Sequence, residues 1–203
     1  MSMTASPELR RETLVRSLPP LVMVALMWAS EGVDTLLGGA LDEYGIRPRD
    51  VDGLLGLVTA PFLHDGFAHL IANTSTFIVL GLLLAWLTRR FWLVTAAVAV
   101  IGGFGVWLFG APLTIHLGAS GLVYGYAAFL VVYGLVARRA TAVIVAVIVF
   151  IVYGSIVSGV LPGEAGVSWE GHLFGAVAGA AVAVWCGRRD RRAVTEPKAV
   201  GRW

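Results

Sequence analysis

The sequence predicts an all-α, polytopic membrane protein: a bundle of six transmembrane helices with both termini in the cytoplasm. Three observations predict it. Of 203 residues, 58% are hydrophobic and 14% charged, a balance far from that of soluble domains. Six apolar runs stand between charged or proline-glycine breaks, and each comes near the roughly 20 residues that cross about 30 Å of hydrocarbon at about 1.5 Å per residue. The charges, finally, sort by side. Arg10, Arg11, Arg16, Arg89, Arg90, Arg138, Arg139, Arg188, Arg189, Arg191, Arg192, Lys198 and Arg202 fall on one side of a six-span zigzag, 13 of the 15 basic residues. That excess marks the side as cytoplasmic, the side of the cell membrane on which both termini then lie. Glu31, Asp34, Asp42, Glu43, Asp50, Asp52, Asp65, Glu164 and Glu170, nine of the 13 acidic residues, lie on or near the other.

The spans follow in order. Span one covers 18–37. Its basic approach and the small residues Ala29 and Ser30 also fit a secretory signal peptide, but removing it would leave five spans and put the chain ends on opposite sides. Residues 38–66 are too long for a tight turn and too short for a domain, and the stretches Leu54-Leu55-Gly56-Leu57-Val58 and Ala60-Pro61-Phe62-Leu63 suggest a segment lying in the membrane interface. Span two (67–87) and span three (91–109) are separated by Thr88-Arg89-Arg90. Gly110-Ala111-Pro112 ends span three, Arg138-Arg139 divides span four (117–136) from span five (140–161), and Pro162-Gly163-Glu164 precedes span six (169–187). The chain thus divides into a cytoplasmic tail 1–17, a six-span core 18–187 and a basic cytoplasmic tail 188–203. Both tails are expected to be short, polar and mobile, with no soluble domain attached. The arginines after 187 are expected to anchor span six at anionic headgroups of the lipid bilayer.

Composition also excludes functions. A net charge of +2 lacks the clustered basic excess of a nucleic-acid binder. One cysteine, Cys186, rules out an intramolecular disulfide, and no Cys/His run has metal-ligand spacing, so no metal or other cofactor is expected. Glycine, 25 of 203 residues, is about 12% against a usual ~7% and fits helices that pack closely in lipid.

Polar residues in membrane spans are ordinarily interhelical glue, but their joint placement here points further. All four histidines, His64, His69, His116 and His172, map to the outer half. His69 and Asn73 open span two, Ser120 opens span four and His172 opens span six, so residues about 50 apart in sequence share one depth. Ser120, in Gly118-Ala119-Ser120-Gly121, is either a helix N-cap or a nucleophile. The uncharged stretch before it can descend into the bundle where it lines a cavity, and the helix start after it offers free amides and a positive dipole end to an oxyanion. His172 is the candidate base, because neutral imidazole takes a hydroxyl proton near pH 7 and returns it to a leaving amine. Gly175 and Gly179 lie on nearly the same helical face as His172; with Gly171 they form a small-xxx-small stripe on span six, as Gly121 and Gly125 do on span four, which supports a close approach of the two. Glu170 points to another face and Glu164 lies in a loop, so the reading is a dyad. Tyr124, one turn after Ser120, is either a platform for His172 or an ordinary packed aromatic. His69 and Asn73, spaced i and i+4, share one face and serve either as oxyanion donors or as polar glue.

These residues resemble the rhomboid intramembrane serine proteases. The resemblance spans 18–187 and rests on three motifs: His64-Asp65-Gly66-Phe67-Ala68-His69-Leu70-Ile71-Ala72-Asn73, Gly118-Ala119-Ser120-Gly121-Leu122-Val123-Tyr124, and Gly171-His172-Leu173-Phe174-Gly175 continuing to Gly179. It implies a six-helix rhomboid-like bundle that cleaves transmembrane protein substrates, single-span ones among them. Ser120 would be the nucleophile, His172 the general base and acid, Tyr124 its stacking partner, and Gly118 and Gly175 part of the active-site packing. His69 and Asn73 would line the oxyanion hole with the Ser120 amide, and His64 would be structural. The resemblance also implies lateral substrate access beside spans two and five and small residues at the cleavage point. One departure is that Arg47 and Arg49 in the first outer loop have no adjacent tryptophan, and His116 receives no role. The rivals are a catalytically silent relative, against which both Ser120 and His172 are present, and a small transporter, for which no inverted repeat is visible.

Overall fold

The segment Ser120–Ala137 is apolar all round, which dictates its place at the centre. Leu122, Val123, Tyr126, Phe129, Leu130 and Tyr133 are all buried. The computed structural model describes residues 6–163 and 166–195, and among them every regular element is helical. Glu164, Lys198 and Arg202, which the sequence reading places by topology, lie outside the described residues. In chain order, α1 is Pro7–Leu36, α2 Gly66–Thr88, α3 Phe91–Phe109, α4 Ser120–Ala137, α5 Ala140–Tyr153 and α6 Trp169–Thr195. Among the described residues four helices are long and apolar enough to cross a membrane: α1 from Arg11 onward, α2, α3 and α4.

The remaining two differ from the expected spans for physical reasons. At 14 residues, α5 reaches only about 21 Å. It then tightens into the 3-10 segment Gly154–Val160, where Gly154, Ser155, Ser158 and Gly159 weaken α-helix formation. Helix α6 has Glu170 and His172 at one end and Arg188, Arg189, Arg191 and Arg192 at the other, which dilute its apolar middle. The expected boundaries at 17/18 and 187/188 are not helix ends: α1 begins at Pro7 and α6 continues to Thr195.

Two contacts set the frame of the site. The first is the seam between α4 and α6. A Cβ at Gly175 would collide with the Gly121 carbonyl, and one at Gly179 with the Gly125 carbonyl, so the backbones touch directly. The π-helical turn Val98–Gly102 of α3 presses on the same place, with a Cβ at Gly102 standing 3.2 Å from Gly175 Cα. Against this seam pack Phe77, Leu80 and Leu84 of α2, Val94 and Val98 of α3, and Met23 and Met27 of α1. Tyr126 is satisfied in the core: Thr95 spends its proton on the Phe91 carbonyl, so the Tyr126 hydroxyl donates to Thr95 Oγ1 at 2.7 Å.

The second contact joins the 38–66 segment to the stretch before α4. Ile46 and His116 pair as an antiparallel bridge, with N–H to O distances of 2.8 and 2.9 Å. The Arg49 guanidinium donates to the carbonyls of Leu108 and Gly110 at 3.1 and 3.0 Å and so caps the end of α3. Trp107 Nε1 donates to Asp50 O at 2.7 Å. The tryptophan beside Arg49 therefore comes from α3, not from the loop. Over Asp52–Phe62, Gly53, Gly56 and Ala60 are buried while Leu55 and Val58 are exposed, which leaves an apolar outer face.

At the opposite end of the bundle Arg16, Arg89 and Arg90 are engaged. Arg90 forms a bidentate pair with Asp190 at 2.7 and 2.6 Å, and the Tyr133 hydroxyl donates to the same carboxylate at 2.7 Å. Glu12 bridges Arg16 and Arg89, and Arg16 also donates to the Trp86 carbonyl at 2.9 Å.

Candidate active site

The stretch 110–119 carries Ser120 to the start of α4. Gly118 has φ +105, and a Cβ there would stand 2.7 Å from His69 Cε1, so only glycine fits both the torsion and the space. The Gly118 amide donates to Ala60 O at 2.9 Å and the Ala119 amide to His64 Nε2 at 3.4 Å. Ser120 is the first residue of α4. The amides of Ser120, Gly121 and Leu122 consequently have no partner within their own helix and form its positive end. Among the described residues no hydrogen bond holds the Ser120 hydroxyl.

His172, which closes the first turn of α6, is buried and stacks on Tyr124 with ring centroids 4.0 Å apart and planes 7° from parallel. Its Nδ1 lies 2.9 Å from the Gly159 carbonyl. A carbonyl only accepts, so in the neutral ring Nδ1 carries the proton and Nε2 is left as the basic lone pair. Gly159 is required at that point, because a Cβ there would collide with the Tyr124 hydroxyl and lie 3.3 Å from Nδ1. Ser120 and His172 face one open cavity of about 910 Å³, which His69, Asn73 and Tyr124 also line. Asn73 is buried, and its amide donates to the His69 carbonyl at 3.0 Å, leaving a second N–H.

Gly175 underlies the site through the seam, and His64 props it from behind. His64 is fully buried, meets His69 edge-on at 5.2 Å, and is pushed down to about 4 by burial with His69 beside it. Neutral, it accepts the Ala119 amide and packs against the residues that line the cavity. Asp42, Asp65 and Glu170 also line the cavity. The Asp42 carboxyl is raised to about 6 by burial first and then by the charges of Asp34, Asp65 and Glu31. Among the described residues no three His, Cys, Asp or Glu side chains are placed to hold a metal ion.

Two residues of this arrangement, Gly159 and Ser168, escape sequence reasoning, and a third, His116, is left by it without a role. Gly159 contributes a backbone carbonyl, which leaves no side-chain signal. Ser168 caps α6, accepting the Gly171 amide at 3.1 Å. His116 bonds to Ser168 Oγ at 2.6 Å. The cap was detectable in principle, as a serine just before an apolar run, but the third residue after it is Gly171 rather than the glutamate of a capping box.

Motifs this far apart, converging on one cavity, raise the question of kinship. The family model described as the Rhomboid domain matches residues 52–189. The chain belongs to the rhomboid family. The match takes in α2 to α6 and begins within the first loop, after α1. This rhomboid is also similar to an uncharacterized protein of Mycobacterium tuberculosis, 45% identical over 183 residues, covering 85% of this chain and 76% of the relative. A Mycobacterium leprae protein, likewise uncharacterized, is 41% identical over 194 residues, 90% of this chain and 76% of the relative. A Bacillus subtilis protein named as a candidate rhomboid protease is 29% identical over 143 residues, 67% of this chain and 69% of the relative. Membership implies an intramembrane protease acting on transmembrane substrates.

Proposed function

We propose that this rhomboid is a serine endopeptidase that cleaves transmembrane segments with a Ser120–His172 dyad. The observation that carries the reading is the state of His172: held by the Tyr124 stack and with Nδ1 on the Gly159 carbonyl, its ring keeps Nε2 as the basic nitrogen, and it lines the same cavity as Ser120. In the reaction Ser120 Oγ attacks the scissile carbonyl while His172 Nε2 takes its proton. The Gly159 carbonyl fills the orienting role of a third triad member, fixing tautomer and ring direction without a carboxylate. The tetrahedral oxyanion forms against the amides at the start of α4 and the side chains of His69 and Asn73. His172 then protonates the leaving amine, and water releases the acyl group by the same steps in reverse.

Residues 18–187 form the catalytic core in this reading. Its six spans lie in the cell membrane with both termini cytoplasmic, so that the site opens toward the outer face. The substrates are single-span or other transmembrane proteins that unwind locally to expose a peptide bond. Cleavage of a model single-span substrate by the purified protein tests the proposal. Loss of product in both Ser120→Ala and His172→Ala is expected, and retained cleavage in either rejects the dyad.

A further inference from the structure

His116 and Ser168 take no part in the reaction as written, yet they bond to each other at 2.6 Å in the wall of the same cavity. The surrounding hydrogen bonds fix every proton between them. Thr114 gives its hydroxyl proton to the Ala111 carbonyl at 2.7 Å, so toward His116 Nε2, 2.9 Å away, it can only accept. Nε2 therefore carries the ring proton, and Nδ1 is a bare acceptor for the Ser168 hydroxyl. A lone pair of Ser168 Oγ remains to receive the Gly171 amide. Burial keeps this imidazole toward its neutral form, against the opposing pull of Glu170.

The network spans three elements. The His116 backbone is locked to Ile46 by its paired bonds, and His116 stands four residues before Ser120 on the same stretch. On the other side, the His172 amide closes its bond onto the Ser168 carbonyl at 3.1 Å. The turn between Ser168 and His172 contains Gly171, a weak helix former, so its geometry leans on the cap. We propose that His116 and Ser168 are positioning residues: a clasp that holds the first turn of α6 to the stretch bearing Ser120, and so sets where His172 stands relative to the nucleophile. The catalytic half of this inference rests on the Ser120–His172 reading; the structural half does not.

The test uses the full-length protein in detergent, with His116→Ala, Ser168→Ala, the double variant and Ser168→Thr, and two readouts. Amide hydrogen exchange over residues 170–173 reports the clasp without reference to activity. Exchange at least about tenfold faster in either alanine variant and restored in Ser168→Thr is expected, and unchanged exchange overturns the clasp. The second readout is kcat and KM for a transmembrane substrate. A fall in kcat of roughly ten- to hundredfold is expected with KM within about twofold, rescued by Ser168→Thr, with the double variant no worse than the single ones. Additive losses, an effect confined to KM, or faster exchange with unchanged kcat would overturn the positioning role. So would fluorophosphonate label on Ser168 in a Ser120→Ala background, which would make Ser168 a nucleophile. A wild type that neither cleaves nor labels defeats the protease reading instead, and the exchange data alone then decide the clasp.

Discussion

The two ends of this helical bundle use polar groups in opposite ways. At the arginine-rich end they are spent on one another: Asp190 receives Arg90 twice and Tyr133 once, and Glu12 serves both Arg16 and Arg89. At the end bearing Ser120 several are held back. The Ser120 hydroxyl is unengaged among the described residues, and His172 lines the same cavity with only its Nδ1 anchored, on the Gly159 carbonyl. Paired groups lower the energy of the fold, whereas groups left short of partners in a cavity are available to a reacting molecule. The same helices supply both, so the two ends can be perturbed separately unless the seam joining them is broken.

Breaking the seam is expected to have the largest effect. Gly179→Val places a branched side chain against the Gly125 carbonyl, which is backbone and has nowhere to move, and the strain exceeds the about 1–3 kcal/mol of ordinary overpacking. Size-exclusion chromatography in detergent should show little or no folded protein. His172→Ala, by contrast, should leave the folded protein intact and reduce substrate cleavage by at least about a thousandfold. Asn73→Ala should reduce kcat by roughly a hundredfold, the effect of losing one oxyanion donor, with the unfolding midpoint little changed. An equal loss of stability would instead make Asn73 interhelical glue.

At the other end the sign reverses. Asp190→Asn should lower stability by about 1–2 kcal/mol, since it leaves Arg90 partly buried without its partner, while kcat stays as in the wild type. The Arg90 hydrogen bond holds the Asp190 carboxyl below its ordinary value. Its contribution is present above the unfolded value near 3.8 and is lost as pH falls through the lower folded value. Asp42 behaves oppositely. Raised to about 6, it favours the fold below about pH 4, and that contribution is lost as pH rises through 6. His64, pushed down to about 4, adds stability over the same window in both proteins, so it is the wild-type midpoint of thermal unfolding relative to that of Asp42→Asn that should fall as pH rises from 4 to 7, the smallest of these effects.

How much of this was legible in the sequence depends on which atoms carry the information. Ser120, Tyr124, His172 and the glycine stripes are side-chain patterns at helical spacing, and helix geometry puts Tyr124 on the face of Ser120 and Gly175 on the face of His172; that the two faces meet is seen in the structure. The Gly159 carbonyl, the Ile46–His116 bridge and the carbonyls that Arg49 caps are backbone groups engaged across 13 to 70 residues of chain, and backbone groups leave no pattern in the sequence. The early end of α5 at Tyr153 was partly visible in Gly154 and Gly159. The extension of α1 back to Pro7 was not, because the polar, basic residues before 18 fall outside the apolar run that defines span one, although the helix continues through them.

The central claim is that Ser120 is an activated nucleophile, and labelling tests it most directly. The purified protein would be treated at neutral pH with a fluorophosphonate probe and the modified residue located by peptide mass spectrometry. Covalent label on Ser120 is predicted in the wild type, strongly slowed in His172→Ala and absent from Ser120→Ala. A properly folded wild type that takes no label, or label that persists unchanged in Ser120→Ala, would contradict it.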